Sequence, residues 1–166
     1  MGHYIANLRD IEFCLFDLFE RESILGKSIY KDLDRETAMG MLEEVKRMAE
    51  NDLAASFIDG DQIKVKFDPA TGDAKLPESF KKSYKTFMDN EWWRIDAPVE
   101  LGGTAMPASI RWAIAEMVLG SNPAIHIYAS GTAFAHVAHV YGTTEQKKIA
   151  KLMIDKKWGA TMMLTE

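Results

Sequence analysis

Six segments of the chain place apolar residues at intervals of three and four positions, which is the spacing of one face of an α-helix. In the first segment, residues 11–19, the apolar side chains fall at i, i+3, i+4, i+7 and i+8. The other five segments begin at residues that are typical of helix starts, namely Asp34, Pro77, Pro107, Asn122 and Thr143. The pattern predicts an all-α fold, a bundle of about six helices.

The fifth of these segments, from Pro123 to Tyr141, is apolar around most of its circumference. A helix of this kind is buried on several sides. We therefore predict that it is the buried central helix of the bundle, and that Phe134 lies inside. Residues 143–146 form a capping box, Thr143 with Gln146, that starts the sixth helix.

The remaining segments carry turn signals rather than helical spacing. Residues 63–72 alternate apolar and lysine side chains before Asp-Pro and Thr-Gly pairs, which predicts a short exposed hairpin or loop. The pair Gly102-Gly103 lacks the lysine and the spacing of phosphate-binding loops, which favours a tight turn. The pair Trp92-Trp93 is interpreted as an anchor that holds this loop on the core.

The last residues, 158–166, alternate apolar and small or polar side chains, the period of a β-strand. A single strand cannot satisfy its own backbone donors and acceptors. No second strand follows in the sequence, so we expect that the chain stops inside a β-structure.

Composition and charge narrow the function classes. The net charge of −5 argues against a dedicated nucleic-acid binder. No stretch reaches 18 apolar residues, so no membrane span is predicted. The single cysteine, Cys14, excludes an internal disulfide, and together with the lack of a signal peptide it favours the cytoplasm.

No catalytic group is evident from the residues alone. His136 and His139 lie three apart and could ligate a metal, but no cysteine or carboxylate accompanies them in sequence, so we predict no metal site. His126 is interpreted in the same way, as an ordinary buried or interfacial imidazole. Cys14 falls on an apolar helix face, where a small buried side chain is expected.

Four motifs occur in the order found in acyl-CoA dehydrogenases. PVELGG at 98–103 is similar to their P-E-x-x-G-G turn, with Val99 where the family usually has an acidic residue. YGTTEQKK at 141–148 resembles their G-x-x-x-Q-K helix start, and MMLTE at 162–166 resembles the opening of their flavin motif. The N-terminal segment and residues 67–84 resemble a long bacterial branch that includes 3-methylmercaptopropionyl-CoA dehydrogenases.

The resemblance implies a division of the chain into three parts. Residues 1–32 would be an N-terminal extension helix, 33–157 the N-terminal helical domain, and 158–166 the first strand of a truncated middle β-domain. The resemblance also implies that these 166 residues are part of a longer flavoenzyme and are inactive by themselves. The longer enzyme would be a homo-oligomer that passes electrons to an acceptor.

The resemblance implies α,β-dehydrogenation of an acyl-CoA thioester with FAD. A glutamate of the C-terminal domain removes the α-proton, so no catalytic residue is assigned in this chain. The residues that match flavin-contacting positions are Met162, Leu164 and Thr165. Ile127, Tyr128 and Gly131 are candidates for the lining of the acyl channel. A helical interaction module that binds no cofactor is the alternative hypothesis.

Overall fold

The structure, a computed structural model, describes residues 2–163. Within this range the α-helices are α1 (Leu8–Glu12), α2 (Arg35–Met48), α3 (Phe57–Gln62), α4 (Glu78–Asp89), α5 (Ala108–Ser121), α6 (Pro123–Tyr128), α7 (Gly131–Tyr141) and α8 (Thr144–Lys156). The described strands are β1 (Lys66–Asp68) and β2 (Asp73–Lys75), an antiparallel pair that pairs Phe67 with Ala74. The all-α class and the exposed hairpin are confirmed, and all six predicted segments are helical, although the fifth is divided into α6 and α7. The short helix α3 has no counterpart in the prediction.

The starts of the longer helices follow their sequence signals. The side chain of Asp34 accepts a hydrogen bond from the backbone N–H of Thr37 at 2.7 Å and so caps α2. The capping box of α8 is confirmed, because Thr143 accepts from the N–H of Gln146 while the Gln146 side chain accepts from the N–H of Thr143.

A π-helix over Ala49–Leu53 continues α2 and joins it to two other helices. The carbonyl of Asp52 accepts from the Ser83 hydroxyl of α4 at 2.7 Å, and the carbonyl of Leu53 accepts from the Asn122 amide at 3.2 Å. Asn122 was predicted to cap the helix that follows it, but its side chain makes no capping bond. Its amide is used to hold the α5–α6 junction against the π-helix instead.

The central helix of the bundle is α5. Ile110, Ile114, Met117 and Val118 on this helix are almost completely buried. The prediction that residues 123–141 form the buried central helix is wrong on two points. The segment is broken between α6 and α7 at Ala129 and Ser130, and its side chains are exposed along one side.

The core is continuous across the predicted boundary between residues 32 and 33. Leu15, Phe16 and Leu25 belong to the same buried cluster as the side chains of α2 and α5. Near the N-terminus, the Tyr4 ring packs against Gly120 so closely that a Cβ added there would lie 2.4 Å from Cε2 of the ring. The three-part division of the chain stays a prediction.

Residues 158–163 follow α8 without regular secondary structure. The predicted strand is therefore not formed over this range, and no described strand lies beside it to complete its backbone hydrogen bonds. The rest of the predicted strand, 164–166, lies outside the described residues. None of the helices within 2–163 is both long enough and apolar enough to cross a bilayer.

Candidate functional site

The 98–103 segment folds as a closed turn, as predicted. Its centre is a 3₁₀-helix over Val99–Leu101, and the N–H groups of Leu101 and Gly103 both donate to the carbonyl of Pro98 at 2.9 Å. Gly102 has φ +87°, a left-handed conformation that favours glycine. A Cβ on Gly103 would lie 1.9 Å from the carbonyl oxygen of Ala97. Both glycines are therefore required by the shape of this turn.

Arg94 ties the turn to the preceding helix end. Its guanidinium donates to both carboxylate oxygens of Glu91 at 2.8 and 2.7 Å, and its Nη1 donates to the carbonyl of Gly102 at 2.7 Å. The backbone carbonyl of Arg94 also accepts from the N–H of Thr104 at 2.9 Å. The side chain and the backbone of one residue thus both hold the C-terminal end of the turn.

Behind the turn lies an open groove of about 1050 Å³. Its walls are the segment around Tyr30, the loop from Ile95 to Glu100, the start of α5, and one side of α7 that presents His136 and Val140. The lining presents more apolar than polar surface, and it includes the ion pair in which Arg111 of α5 meets Asp96 at 2.7 Å. Ligand sites are usually enclosed and mainly apolar with a few polar groups, a description that this open groove with several charged side chains meets only in part.

A smaller cavity of about 250 Å³ lies on the other side of this ion pair. Trp93, Trp112 and His126 line it together with Asp96 and Arg111. Burial lowers the pKa of His126, the Arg111 charge lowers it further, and the Asp96 carboxylate opposes both effects. The His126 imidazole is therefore held in its neutral form at neutral pH. Trp93 is buried, with its indole N–H donating to the carbonyl of Met88, so the anchoring role predicted for Trp92-Trp93 is confirmed for Trp93.

The three predicted acyl-channel residues lie near the α6–α7 junction but do not line either cavity. Ile127 is 63% exposed. Tyr128 is 47% exposed and packs edge-on against Phe80, with ring centroids 5.2 Å apart. Gly131 is buried at the start of α7, against the backbone of Trp158. These positions place the three residues on the side of the bundle where the chain leaves α8.

Of the predicted flavin-contacting residues, only Met162 is among the described ones. It is 61% exposed on the irregular segment after α8. Leu164 and Thr165 lie outside the described residues. An exposed methionine on this irregular segment suits one contact to a flat ring, but no described residue of this chain is seen to enclose the other face of such a ring.

The histidines of α7 do not come together with other ligand-type side chains. His136 lines the larger groove, while His139 is half-buried. Within residues 2–163 no group of three or more histidine, cysteine or acidic side chains is arranged to hold a metal ion.

Sequence reasoning missed Arg94, Asp96 and Arg111. Two signals were present in the sequence. Glu91 and Arg94 are three residues apart, the spacing of a helical ion pair, and Arg111 is a single cation within the apolar start of α5. A charged residue on an otherwise apolar helix face indicates a partner elsewhere in the fold. The sequence does not reveal that the partner is Asp96.

Comparison with known proteins gives two relatives that align with almost all of this chain. The chain is 44% identical over 166 residues, 100% of its length, to the broad-specificity linear acyl-CoA dehydrogenase FadE5 of Mycobacterium tuberculosis. It is 28% identical over 165 residues, 98% of its length, to the 3-methylmercaptopropionyl-CoA dehydrogenase of Ruegeria pomeroyi. No protein-family model matches the chain.

The alignments cover 27% and 28% of these relatives, so the chain spans little more than a quarter of their length. Over its whole length, the chain is therefore homologous to one part of acyl-CoA dehydrogenases, and the resemblance found in its motifs is confirmed.

Proposed function

We propose that this chain is the N-terminal helical domain of an FAD-dependent acyl-CoA dehydrogenase, which carries out α,β-dehydrogenation of an acyl-CoA thioester only as part of the longer protein. The alignment at 44% identity along the whole chain carries this proposal. The closed turn at 98–103 supports it, because the segment that resembles the family's P-E-x-x-G-G turn folds as a turn that requires both Gly102 and Gly103.

The role proposed for this domain is to form one wall of the substrate site. Ile127 and Tyr128 would face the acyl chain from the α6–α7 junction, where Gly131, the third candidate, lies beneath the backbone of Trp158. Ile127 and Tyr128 support this assignment, since both carry apolar surface that the bundle leaves exposed. Covering exposed apolar surface with a hydrocarbon chain makes the free energy of binding more favourable by about 25 cal/mol per Å² of surface removed from water.

Met162, Leu164 and Thr165 are proposed to contact FAD. Met162 fits this role, because its thioether lies exposed on the segment that leaves the bundle and can cover a flat ring. When bound, the flavin would supply the acceptor for the hydride that leaves the β-carbon of the substrate. The general base is proposed to lie beyond this chain. In these 166 residues the contribution to catalysis is binding and orientation.

Two preparations test the proposal: the 166-residue chain, and the whole protein that its gene encodes. Each is mixed with excess FAD, desalted, examined by visible absorbance and assayed with acyl-CoAs and an artificial electron acceptor. We expect the 166-residue chain to be colourless and inactive, because a cofactor as large as FAD needs most of its surface enclosed. We expect the whole protein to retain flavin and to turn over acyl-CoA.

Stoichiometric flavin or turnover in the 166-residue chain would contradict the proposed division of labour. A whole protein that binds no flavin and oxidises no acyl-CoA would contradict the proposed function. That second result would favour the alternative, a helical interaction module without a cofactor.

A further inference from the structure

Gly131 is the point where the segment that leaves α8 crosses the bundle. A Cβ added to Gly131 would lie 1.9 Å from the carbonyl oxygen of Trp158, 2.9 Å from its carbonyl carbon and 3.1 Å from Cα of Gly159. All three atoms are backbone, so no side-chain rotation can relieve the overlap. The backbone of 158–159 therefore occupies the space that any side chain at position 131 would need.

The conformation of Gly131 does not itself demand glycine. Its φ is outside the left-handed region, and it is the first residue of α7, where the backbone of alanine is equally at home. The requirement for glycine comes only from the approach of the crossing segment. This distinguishes Gly131 from Gly102, whose φ is positive.

The start of the crossing segment is fixed where it leaves α8. Lys157 ends α8 in the left-handed conformation, φ 52°, and the N–H of Trp158 then donates to the carbonyl of Met153 at 2.9 Å. These two features fix the direction in which the chain leaves α8, and the backbone of residues 158–159 then packs against Gly131. On the far side, a Cβ on Gly159 would lie 3.6 Å from the carbonyl of Tyr128, an ordinary contact distance.

We propose that Gly131 is a positioning residue: the lack of a side chain there sets the path of residues 158–163 as they leave the bundle, and through that path the placement of Met162. This deepens the proposed function, on which it rests, because the same segment carries the residues assigned to the flavin. It moves Gly131 from the lining of the acyl channel to the support of the flavin-contacting segment.

The first test is made on the 166-residue chain without flavin. Trypsin is added to native protein, and release of the C-terminal peptide, 157–166 after cleavage at Lys156 or 158–166 after cleavage at Lys157, is followed by mass spectrometry. We expect Gly131→Ala to release it at least about tenfold faster than wild type, since cleavage follows the population of the detached segment. Gly40→Ala is the matched control, because a Cβ on Gly40 of α2 meets nothing within 4 Å.

The second test is a melting-temperature cycle that holds even if Gly131→Ala does not fold. The variant is made in the full chain and in a chain that ends at Lys157, which retains every buried apolar residue through Ile154. We expect Gly131→Ala to lower Tm, or prevent folding, only in the full chain. Gly40→Ala should raise Tm by about 2–4 °C in both.

Equal release of the peptide by Gly131→Ala and wild type would overturn the proposal, as would an equal loss of Tm in the two chain lengths. A third measurement, the visible flavin spectrum of the whole protein, separates this proposal from the proposed function. If wild type retains no flavin while the first two tests succeed, only the proposed function fails. If wild type retains flavin and Gly131→Ala behaves as wild type throughout, only the role of Gly131 fails.

Discussion

At the scale of single residues, the turn at 98–103 depends on contacts that only the folded structure reveals. Gly103 cannot carry a side chain because the carbonyl of Ala97 lies where the Cβ would be. Arg94 reaches the carbonyl of Gly102 over an eight-residue separation. The sequence motif indicated a turn here, but it did not indicate that Arg94 closes it, because that contact requires the loop to fold back on itself.

His126 gives a prediction at this scale. Its folded-state pKa is lowered by burial, so below about pH 6.5 the unfolded chain takes up a proton that the folded chain does not. Above that pH the neutral His126 imidazole therefore does not reduce the free energy of unfolding, and the protein loses stability as the pH falls below it. We expect urea unfolding to show lower stability at pH 5.5 than at pH 7.5, and His126→Gln to show a smaller difference between the two.

The carboxylates do not obscure this effect. Hydrogen bonds and nearby cations lower the pKa of Glu44, Glu50 and Glu91, so their stabilisation is lost at more acidic pH than the titration of a histidine. An unchanged pH dependence in His126→Gln would show that another group is responsible.

At the scale of elements, apolar spacing predicted where helices form but not which one is central. The segment 123–141 is apolar on nearly all sides, yet Val137 and Tyr141 are exposed, the latter at 83%. Spacing reports which faces are apolar, whereas burial depends on what covers them. The break at Ala129–Ser130 has a similar origin, since no proline interrupts the segment there and the turn depends on the packing of α6 and α7 against different neighbours.

Charge substitutions separate the two helices. Ile114→Asp on α5 puts an unpaired carboxylate in the core, at a cost of several kcal/mol against a stability of about 5–15 kcal/mol, and we expect it to prevent folding. Val137→Asp on α7 changes an exposed side chain, and we expect a folded protein within about 0.5 kcal/mol of wild type. Circular dichroism with urea unfolding checks both. A cooperative transition in Ile114→Asp would contradict the placement of α5.

At the scale of the whole molecule, the bundle leaves apolar surface on its last two helices. Val137, Val140 and Tyr141 are exposed at i, i+3 and i+4 of α7, and Ile149 and Leu152 at i and i+3 of α8. Exposed apolar residues that share a helix face in this way are candidates for an interaction surface. The sequence predicted an oligomer only through the family resemblance.

We expect the 166-residue chain to associate with itself through this surface as its concentration rises. Sedimentation velocity should show larger species that Val137→Gln with Ile149→Gln reduces, since both changes remove apolar area without adding charge. Phe67→Gln is the control, an equally exposed apolar residue on the β1–β2 hairpin. A monomer at every concentration, or equal association in the double variant and wild type, would contradict this prediction.

The π-helix at Ala49–Leu53 determines where a one-residue deletion in this segment would cause damage. A π-turn differs from an α-turn by one residue, so loss of a single codon within it would leave a continuous α-helix. After this deletion the carbonyls of Asp52 and Leu53 would accept hydrogen bonds within the helix, and they would no longer accept from Ser83 and Asn122. The damage of such a deletion would then appear on α4, where the Ser83 hydroxyl loses its acceptor, and at the α5–α6 junction, where the Asn122 amide keeps only its bond to Ser56, while the helix that lost the residue stays continuous.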